Sequence, residues 1–384
     1  MIWLIAGLVL IAFGIAFPTT LILRAVGRRL AALDTDGVPG QVKAGPRGVP
    51  NTGGPAIFLG IAVPMLAGLG VCRLVPARWL TETGPAILRP LGDHLEGVAR
   101  QTPLALTFLA CLGLVHGVGL IDDRRPLGPG PKAVVMFACA LALVLVSGTR
   151  LLEAIDPFVG GSWLSLAATV LWIVLVTNAM NFMDNMDGLS GGVALVAGAC
   201  FLVAALLTGQ LFIAAVLALM VGAVGGFLAF NFPPASVFMG DSGSLVLGLT
   251  LGFLTVQTTY YGDENGRAVA GGWYAVFMPL VVLAVPLYDL LSVSVIRVCQ
   301  GRSPFVGDLQ HLSHRLVGRG LSRRSAVVVI CGLTGMTGIS GILLASLAAW
   351  QAILVGVQTI LVLVVLALFE WRAANGRRSG DEPA

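Results

Sequence analysis

The sequence predicts an all-α, polytopic integral membrane protein, and three observations lead to that fold class. Of its 384 residues, 57% are hydrophobic and only 11% are charged, with a mean hydropathy of +0.93. A soluble domain carries about 25% charged residues, so this composition excludes an ordinary globular enzyme. Apolar stretches of the length that crosses a bilayer as a helix recur along the whole chain. The 50 glycines also suit the close packing of helices in a membrane.

Eleven candidate spans follow one another along the chain. The first is interpreted as a retained helix and not a signal peptide, because it lacks a basic start and a cleavage site and three arginines follow it. The boundaries near 209 and 350 are tight turns, so ten spans are the alternative count. The predicted segments are 2–23, 53–75, 103–120, 132–149, 163–181, 189–208, 210–230, 243–260, 272–298, 325–349 and 351–371.

The distribution of lysine and arginine predicts the orientation. The loops after odd-numbered spans, taken with the C-terminal tail, hold 17 of the 23 basic residues, and the other loops hold 6. Because basic loops stay in the cytoplasm, the N-terminus is expected outside and the C-terminus in the cytoplasm. We expect one transmembrane catalytic domain over 1–371 and a short cytoplasmic tail over 372–384.

Cysteine usage and net charge exclude further classes. The six cysteines stand singly, without the spacing of a disulfide framework or a zinc site. The net charge of +4 is small and is explained by topology, so no nucleic-acid partner is predicted.

Acidic residues stand at the ends of three predicted spans, all on the predicted cytoplasmic side. They are Asp122 and Asp123, then Asp184 and Asp187, and finally Asp241. Ionisable groups at a membrane edge are costly, which makes a functional role the default interpretation. Mg²⁺ prefers oxygen ligands and shares substrate phosphates, so convergence of these carboxylates predicts a metal-assisted phosphate site. The structural alternatives are an interfacial helix stop, an Asx turn and an ordinary N-cap.

Three neighbouring residues extend this prediction. Asn181 lies one helical turn before Asp184 and shares its face. Lys132 opens the fourth span, either as a phosphate contact or as an anchor that reaches the interface. Phe238 precedes Asp241 by three residues, either to stack on a flat base or as a core aromatic.

The linker 299–324 contains a second polar group. Its apolar residues recur every three to four positions and predict a short amphipathic helix at the membrane interface: Phe305, Leu309, Leu312 and Leu316. The polar side of that helix suits an anionic ligand and comprises Asp308, His311, His314 and Arg315. Asp289, inside the ninth span, is expected to line the same cleft or to pair with a neighbouring helix. His94 and His116 are interpreted as structural.

These motifs together resemble the polyprenyl-phosphate N-acetylhexosamine-1-phosphate transferases (glycosyltransferase family 4). That superfamily includes phospho-MurNAc-pentapeptide translocase and the UDP-GlcNAc:undecaprenyl-phosphate transferases. The similarity covers most of the chain and rests on five ordered motifs: Asn51-Thr-Gly53-Gly54-Pro, Asp122-Asp123, the block with Asn181, Asp184 and Asp187, Phe238-Met-Gly-Asp241-Ser-Gly-Ser-Leu, and Ser303-Pro-Phe with His311 and His314.

The resemblance implies transfer of a sugar-1-phosphate from a UDP-sugar to a polyprenyl phosphate at the bacterial plasma membrane, with release of UMP. By motif position, Asp241 and Asp123 are the implied ligands of Mg²⁺, with Mn²⁺ as the alternative, and Phe238 stacks on uracil. The implied catalytic residues are Asp122, Asp123, Asp184 and Lys132. The implied substrate-binding residues are Asn181, Asp187, Phe238, His311, His314 and Arg315.

One departure from the family pattern bears on the donor. The pentapeptide-transferring branch carries three consecutive histidines where this chain has His-Leu-Ser-His, and Ser313 replaces a histidine that the other branch often shows. We therefore expect a UDP-N-acetylhexosamine donor, in the first step of lipid-linked cell-envelope polysaccharide synthesis. Phospho-MurNAc-pentapeptide transfer and, in a different class, an ion-coupled secondary transporter are the alternatives. A covalent Asp intermediate and a homodimer stay open.

Overall fold

The helices of the protein are defined by a computed structural model that describes residues 2–30, 48–76, 78–85, 89–92, 94–259, 277–303 and 309–376. In these ranges no strand forms, and one isolated parallel bridge joins Asn51 to Phe238. The helices are α1 (Ile2–Arg29), α2 (Gly54–Leu74), α3 (Arg89–Gly92), α4 (Leu95–Arg124), α5 (Pro129–Ser147), α6 (Asp156–Val159), α7 (Trp163–Met183), α8 (Leu189–Leu207), α9 (Leu211–Asn231), α10 (Asp241–Thr259), α11 (Met278–Val282), α12 (Ala284–Cys299), α13 (Leu312–Val317), α14 (Arg323–Leu343) and α15 (Ala349–Gly376).

The predicted all-α membrane architecture is confirmed. Among the described residues, nine helices are long and apolar enough to cross a membrane, namely α1, α2, α4, α5, α7, α8, α9, α14 and α15. The other two predicted spans correspond to α10 and to the pair α11 and α12. Each of the eleven predicted segments therefore contains helix, while the number that crosses the membrane stays a prediction.

The ninth predicted span is divided in two. Helix α11 ends at Val282 and α12 begins at Ala284, so Leu283 interrupts the segment. Pro286 has no amide hydrogen to donate to the carbonyl four residues earlier, and its ring crowds that carbonyl. This explains why one helix does not continue through the segment. Residues 272–276 lie outside the described residues.

Helix α10 lies inside the bundle, and α1 packs along α9 at its side. Helices α2, α4, α7 and α8 all contact α10. Close packing depends on small residues in the α1–α9 contact, since a Cβ on Gly222 would lie 2.1 Å from the carbonyl oxygen of Val9. The α1–α9 pair therefore packs closely at the side of the bundle that surrounds α10.

The linker after α12 differs from the predicted interfacial helix. Between α12 and α14, Leu312–Val317 is the one α-helix among the residues that the structure describes, and Leu309 precedes it in a bend. Leu312 and Leu316 are buried in the protein core, so α13 docks on the bundle and does not present its apolar side to lipid. Phe305 and Asp308 lie outside the described residues.

Candidate active site

The first turn of α10 is held by a carboxylate from α4. Asp123 is buried, its Oδ1 accepts the amide of Asp241 at 2.9 Å, and its Oδ2 accepts the amide of Ser242 at 3.2 Å. Asn51 Nδ2 donates to the same Oδ1 at 3.1 Å. Amides in the first turn of a helix lack partners within the helix, so Asp123 caps α10 from a neighbouring helix.

Two more residues of the same α4 face hold that turn. His116 and Gly119 precede Asp123 by seven and four positions, which places all three on one side of the helix. His116 Nδ1 lies 2.9 Å from the carbonyl oxygen of Ser242, and its ring stacks on Phe58 with centroids 4.6 Å apart. A carbonyl only accepts, so Nδ1 carries the hydrogen. His116 is therefore structural, as predicted, and the structure shows that it anchors the turn that carries Asp241.

The segment that leads into α10 is fixed by backbone pairing with the residues before α2. Phe238 donates its amide to Pro50 at 2.9 Å and accepts the amide of Gly53 at 2.9 Å. Gly240 has a φ of +71°, and a Cβ there would lie 2.3 Å from Asn51 Oδ1. Only glycine fits this turn, for both backbone and space. The predicted stacking role of Phe238 stays a prediction.

Lys132 joins two carboxylates of the predicted site. Its Nζ lies 3.0 Å from Asp122 Oδ2 and 2.7 Å from Asp241 Oδ2, and all three side chains are partly exposed. Asp122 Oδ1 also accepts the amide of Leu127 at 2.7 Å, which fixes the turn between α4 and α5. The structure thus brings together the acidic pair, the lysine and the acid of the third motif.

Asn181, near the end of α7, completes this cluster. Its Nδ2 donates to Asp241 Oδ1 at 3.0 Å and to Ser244 Oγ at 2.9 Å. Asp184 caps the C-terminus of the same helix. The cluster is therefore built from α4, α5, α7 and α10, and the catalytic role of Asp184 stays a prediction.

Asp187 ties the turn before α8 to the loop before α10. Its Oδ2 accepts the amide of Ala235 at 2.9 Å, and the Oδ1 of Asn231 accepts the amide of Gly188 at 2.9 Å. Gly188, at a φ of +73°, forms the turn into α8 together with Asp187. These contacts give Asp187 a structural task, and substrate binding by it stays a prediction.

The histidines and the arginine of α13 have different surroundings. His311 is buried against Asp289, with Nδ1 2.9 Å from Oδ2, so Asp289 pairs with a neighbouring element. Arg315 forms a buried ion pair with Glu370 at 2.8 Å. His314 is half-buried, and this burial holds its pKa below the ordinary value. At neutral pH His314 is therefore an uncharged donor and acceptor.

The donor chemistry of the cluster fits a divalent cation that substrate phosphates complete. Asp122, Asp123 and Asp241 carry a formal charge of −3 when ionised, against one positive charge on Lys132. Within the described ranges no three acids, histidines or cysteines form a ligand set of their own. Mg²⁺ commonly uses one or two carboxylates together with phosphates and water. Asp241 and Asp122 are partly exposed and fit that pattern. Asp123, the second ligand that the motifs implied, is buried and binds two backbone amides, so its role as a metal ligand stays a prediction.

An all-α membrane bundle with carboxylates, an amide and an ammonium gathered at its helix ends defines a polytopic membrane enzyme of phosphate chemistry. The sequence profile described as glycosyl transferase family 4 matches residues 105–259, which include every residue of the Lys132 cluster. The chain belongs to glycosyl transferase family 4 and is a phosphoglycosyltransferase, as the motifs predicted.

Three relatives show how far the similarity extends. A probable undecaprenyl-phosphate N-acetylglucosaminyl 1-phosphate transferase of Bacillus subtilis is 28% identical over 355 residues, which cover 90% of this chain and 88% of the relative. The decaprenyl-phosphate N-acetylglucosaminephosphotransferase of Mycolicibacterium smegmatis is 32% identical, covering 73% of this chain and 68% of the relative. An undecaprenyl-phosphate alpha-N-acetylglucosaminyl 1-phosphate transferase of Escherichia coli is 28% identical, covering 59% and 62%.

Proposed function

We propose that the protein transfers N-acetylglucosamine-1-phosphate from UDP-N-acetylglucosamine to a polyprenyl phosphate and releases UMP. The relatives named above support both the transferred group and the lipid acceptor. The observation that carries the proposal is the position of Lys132, between Asp122 and Asp241 at the N-terminus of α10. A helix N-terminus with an adjacent ammonium favours phosphate groups.

In the proposed reaction an oxygen of the lipid phosphate bonds to the phosphorus that carries the sugar. The bond between that phosphorus and the oxygen that bridges it to UMP breaks, and UMP departs with the electron pair. A phosphate monoester has a second pKa of about 6, so the attacking group is largely ionised and the main obstacle is repulsion between two anions. Lys132 would offset that repulsion, and Asp122 would orient the attacking phosphate. Trapping of a phospho-sugar adduct on the protein would overturn this direct route.

The divalent cation is part of the proposal. Asp241 and Asp122 would hold Mg²⁺, with Mn²⁺ as the alternative, and the ion would supply neutralisation of the diphosphate charge. Asp123 would keep Asp241 in place, because its oxygens bind the amides of the α10 turn. Asn181 would fix the rotamer of Asp241 through its amide hydrogen bond.

The location of the site follows from the acceptor. A polyprenyl phosphate keeps its chain in hydrocarbon and its phosphate at the interface, and the cluster lies at the ends of α4 and α7, where their apolar residues end. We propose eleven spans, an outside N-terminus and a site that faces the cytoplasm of a bacterial plasma membrane. In that location the product would start a lipid-linked cell-envelope polysaccharide.

The test is release of labelled UMP by the detergent-solubilised protein. Undecaprenyl phosphate and Mg²⁺ are supplied with either uridine-labelled UDP-N-acetylglucosamine or the UDP-MurNAc-pentapeptide. We expect UMP release with the first donor, dependence on the lipid phosphate and loss of the signal in EDTA. Equal or faster release with the pentapeptide donor would refute the assigned donor, and release unaffected by EDTA would refute the cation.

Asp241→Asn provides the sharpest variant. The substitution keeps the shape of the side chain but removes the negative charge that pairs with Lys132 and would bind the cation. Turnover should therefore fall by about a thousandfold or more. Thermal stability in detergent should show that the variant is folded. Asp156→Asn changes a carboxylate that pairs with Arg150 at 3.1 Å before α7, at the opposite end of that helix, and should keep its turnover. Full activity of Asp241→Asn would disprove its role in holding the cation.

A further inference from the structure

A buried charged residue of α12 organises the start of α13. Asp289 is 1% exposed, its Oδ2 lies 2.9 Å from His311 Nδ1, and its Oδ1 accepts the amide of Leu312 at 2.6 Å. One carboxylate therefore caps α13 and orients the ring that precedes it. A buried carboxylate used in this way costs desolvation, which these two hydrogen bonds offset.

The opposite edge of the His311 ring meets a second buried charge. Arg297 is 1% exposed and its terminal nitrogen lies 3.4 Å from His311 Nε2. A guanidinium only donates, so Nε2 accepts and the hydrogen of the ring is on Nδ1, facing Asp289. Both ring nitrogens are thus used inside the protein. The carboxylate, the neutral ring and the guanidinium together carry no net charge.

Phe182 connects this group to the catalytic cluster. Its ring meets the His311 ring edge-on at 5.6 Å, and the Arg297 guanidinium lies 5.5 Å from its centroid. Phe182 follows Asn181, whose amide holds Asp241. Displacement of the His311 ring would therefore disturb Phe182, which is the neighbour of Asn181 and thus of the Asn181–Asp241 hydrogen bond.

Helix α13 contacts the turn that follows Phe182. Asn185 Nδ2 donates to the carbonyl oxygen of Phe182 at 2.6 Å, which fixes the side chain. The buried hydroxyl of Ser313 donates to Asn185 Oδ1. Ser313 is therefore packed between two loops, and its hydroxyl supplies the hydrogen that Asn185 Oδ1 accepts.

We propose that Asp289, His311 and Arg297 form a positioning triad that fixes α13, and with it His314, against the catalytic cluster. His311 does not contact substrate in this arrangement, which replaces the role that the sequence suggested for it. His314, which is partly exposed, would then be the histidine of α13 that contacts the anionic sugar nucleotide. The inference deepens the proposed function and rests on it for the identity of the substrate.

Two substitutions of His311 separate a positioning role from a catalytic one. Asparagine places its amide nitrogen where Nδ1 lies and can donate to Asp289, whereas glutamine places its nitrogen near Nε2. We expect His311→Asn to keep kcat/KM for the UDP-sugar within about fivefold, and His311→Gln to lose about a hundredfold, as misplaced groups do. Equal loss in both variants, with both folded, would show that His311 acts on the substrate and would overturn the proposal.

Asp289→Asn tests the carboxylate with a second readout. Asparagine still accepts the amide of Leu312, but its NH₂ group faces the Nδ1 hydrogen of His311. We expect about a hundredfold loss of kcat/KM together with faster hydrogen–deuterium exchange over α13. Trp172→Phe, which removes another buried hydrogen bond (Trp172 Nε1 to Thr255 Oγ1, 2.9 Å), is the control and should change neither. Wild-type turnover and exchange in Asp289→Asn would overturn the proposal.

The two readouts keep this inference distinct from the proposed function. If the wild-type protein released no UMP from any UDP-hexosamine, the proposed function would fail while exchange over α13 still tested the docking. If Asp289→Asn did not fold, the pair of His311 variants would decide the question.

Discussion

Lys132 supplies the positive charge that faces the carboxylates of the site. It is the one cation in contact with Asp122 and Asp241 among the ion pairs of the described residues, and it contacts both at 3.0 Å or less. Two carboxylates this close repel each other unless a cation lies between them. Lys132 therefore offsets the repulsion between the two carboxylates, and it can offer its remaining donor to an incoming phosphate.

Removal of this ammonium should damage turnover more than folding. We expect Lys132→Met to lower kcat by about a hundredfold or more and to reduce thermal stability in detergent, because the carboxylates lose their counter-ion. Lys132→Arg keeps the charge and should retain more activity. The matched control is Arg100→Met, since the Arg100–Glu96 pair is 64% and 83% exposed and such pairs contribute little. Wild-type kcat in Lys132→Met would contradict the role of the ammonium.

The lowered pKa of His314 predicts how stability depends on pH. Unfolded His314 binds a proton near pH 6.5, and the folded protein binds it only at a lower pH. The unfolded state therefore holds more protons in that window, so stability rises with pH and falls on acidification. His314→Gln does not titrate and should lose less thermal stability than the wild type between about pH 7.5 and about pH 5.5. An equal or greater loss in the variant would contradict the assignment.

At this scale the sequence predicted part of the set of residues that meet, but not how they meet; Asp187, selected by the same argument, binds the amide of Ala235 instead. The cost of acids at a membrane edge was enough to select Asp122, Asp123 and Asp241, and the structure joins all three. The sequence did not predict that Asp123 caps α10, nor that Asn51 binds Asp123, because those contacts depend on how two distant segments pack. The sequence also could not distinguish the roles of His311 and His314, because these two residues differ in burial and not in type.

Among the helices, the contact between α4 and α10 decides the geometry of the site. Gly119 lets the α4 backbone approach the first turn of α10, while His116 and Asp123 bind the turn on either side. A carboxylate or imidazole has the right reach only if the two backbones are this close. The site therefore depends on a helix contact that is tight at one glycine.

Gly119→Ala should disturb this contact selectively. A Cβ at Gly119 would lie 2.5 Å from the Cα and from the amide nitrogen of Ser242, and backbone atoms cannot move aside cheaply. Overpacking of this kind costs about 1–3 kcal/mol, and turnover should fall at least tenfold as Asp241 shifts. Gly117→Ala is the matched control in the same helix, because nothing lies within 4 Å of its Cβ. It should be as active as the wild type and no less stable, since alanine favours helix. Equal turnover in the two variants would contradict the importance of the contact.

The helices were more predictable than the connections. Each of the eleven segments that hydropathy and length predicted contains helix, because most of the apolar stretches end at a charge, a proline or a glycine. The same pattern did not predict the interruption at Leu283, although Pro286 supplied the signal. Helix α13 was also predicted at the interface and lies buried, because an apolar face suits protein as well as lipid.

Over the whole molecule, the contacts of the site determine which helix ends lie together. Asp122 near the end of α4, Asn181 near the end of α7 and Asp241 at the start of α10 belong to one cluster, so these ends share one side of the bundle. Arg297 and His311 attach the end of α12 to that side through Phe182. Among the described residues of the predicted cytoplasmic basic set, Arg124 and Arg125 end α4, and Arg324 Nε donates to the carbonyl oxygen of Pro233 in the loop before α10. These contacts link the charge asymmetry of the sequence to the site.

The proposed orientation can be tested with two single-cysteine proteins. Cys299, exposed at the end of α12, lies on the side of the site, and Ser162, exposed before α7, lies at the other end of the helix that carries Asn181. With the remaining cysteines replaced by alanine and activity confirmed, a membrane-impermeant maleimide should label Cys299 in inside-out vesicles and not in intact cells. Ser162→Cys, in a background that also lacks Cys299, should show the reverse. Because α7 and α12 pack against each other, opposite labelling of the pair would place the site outside the cytoplasm, where UDP-sugars made in the cell could not reach it.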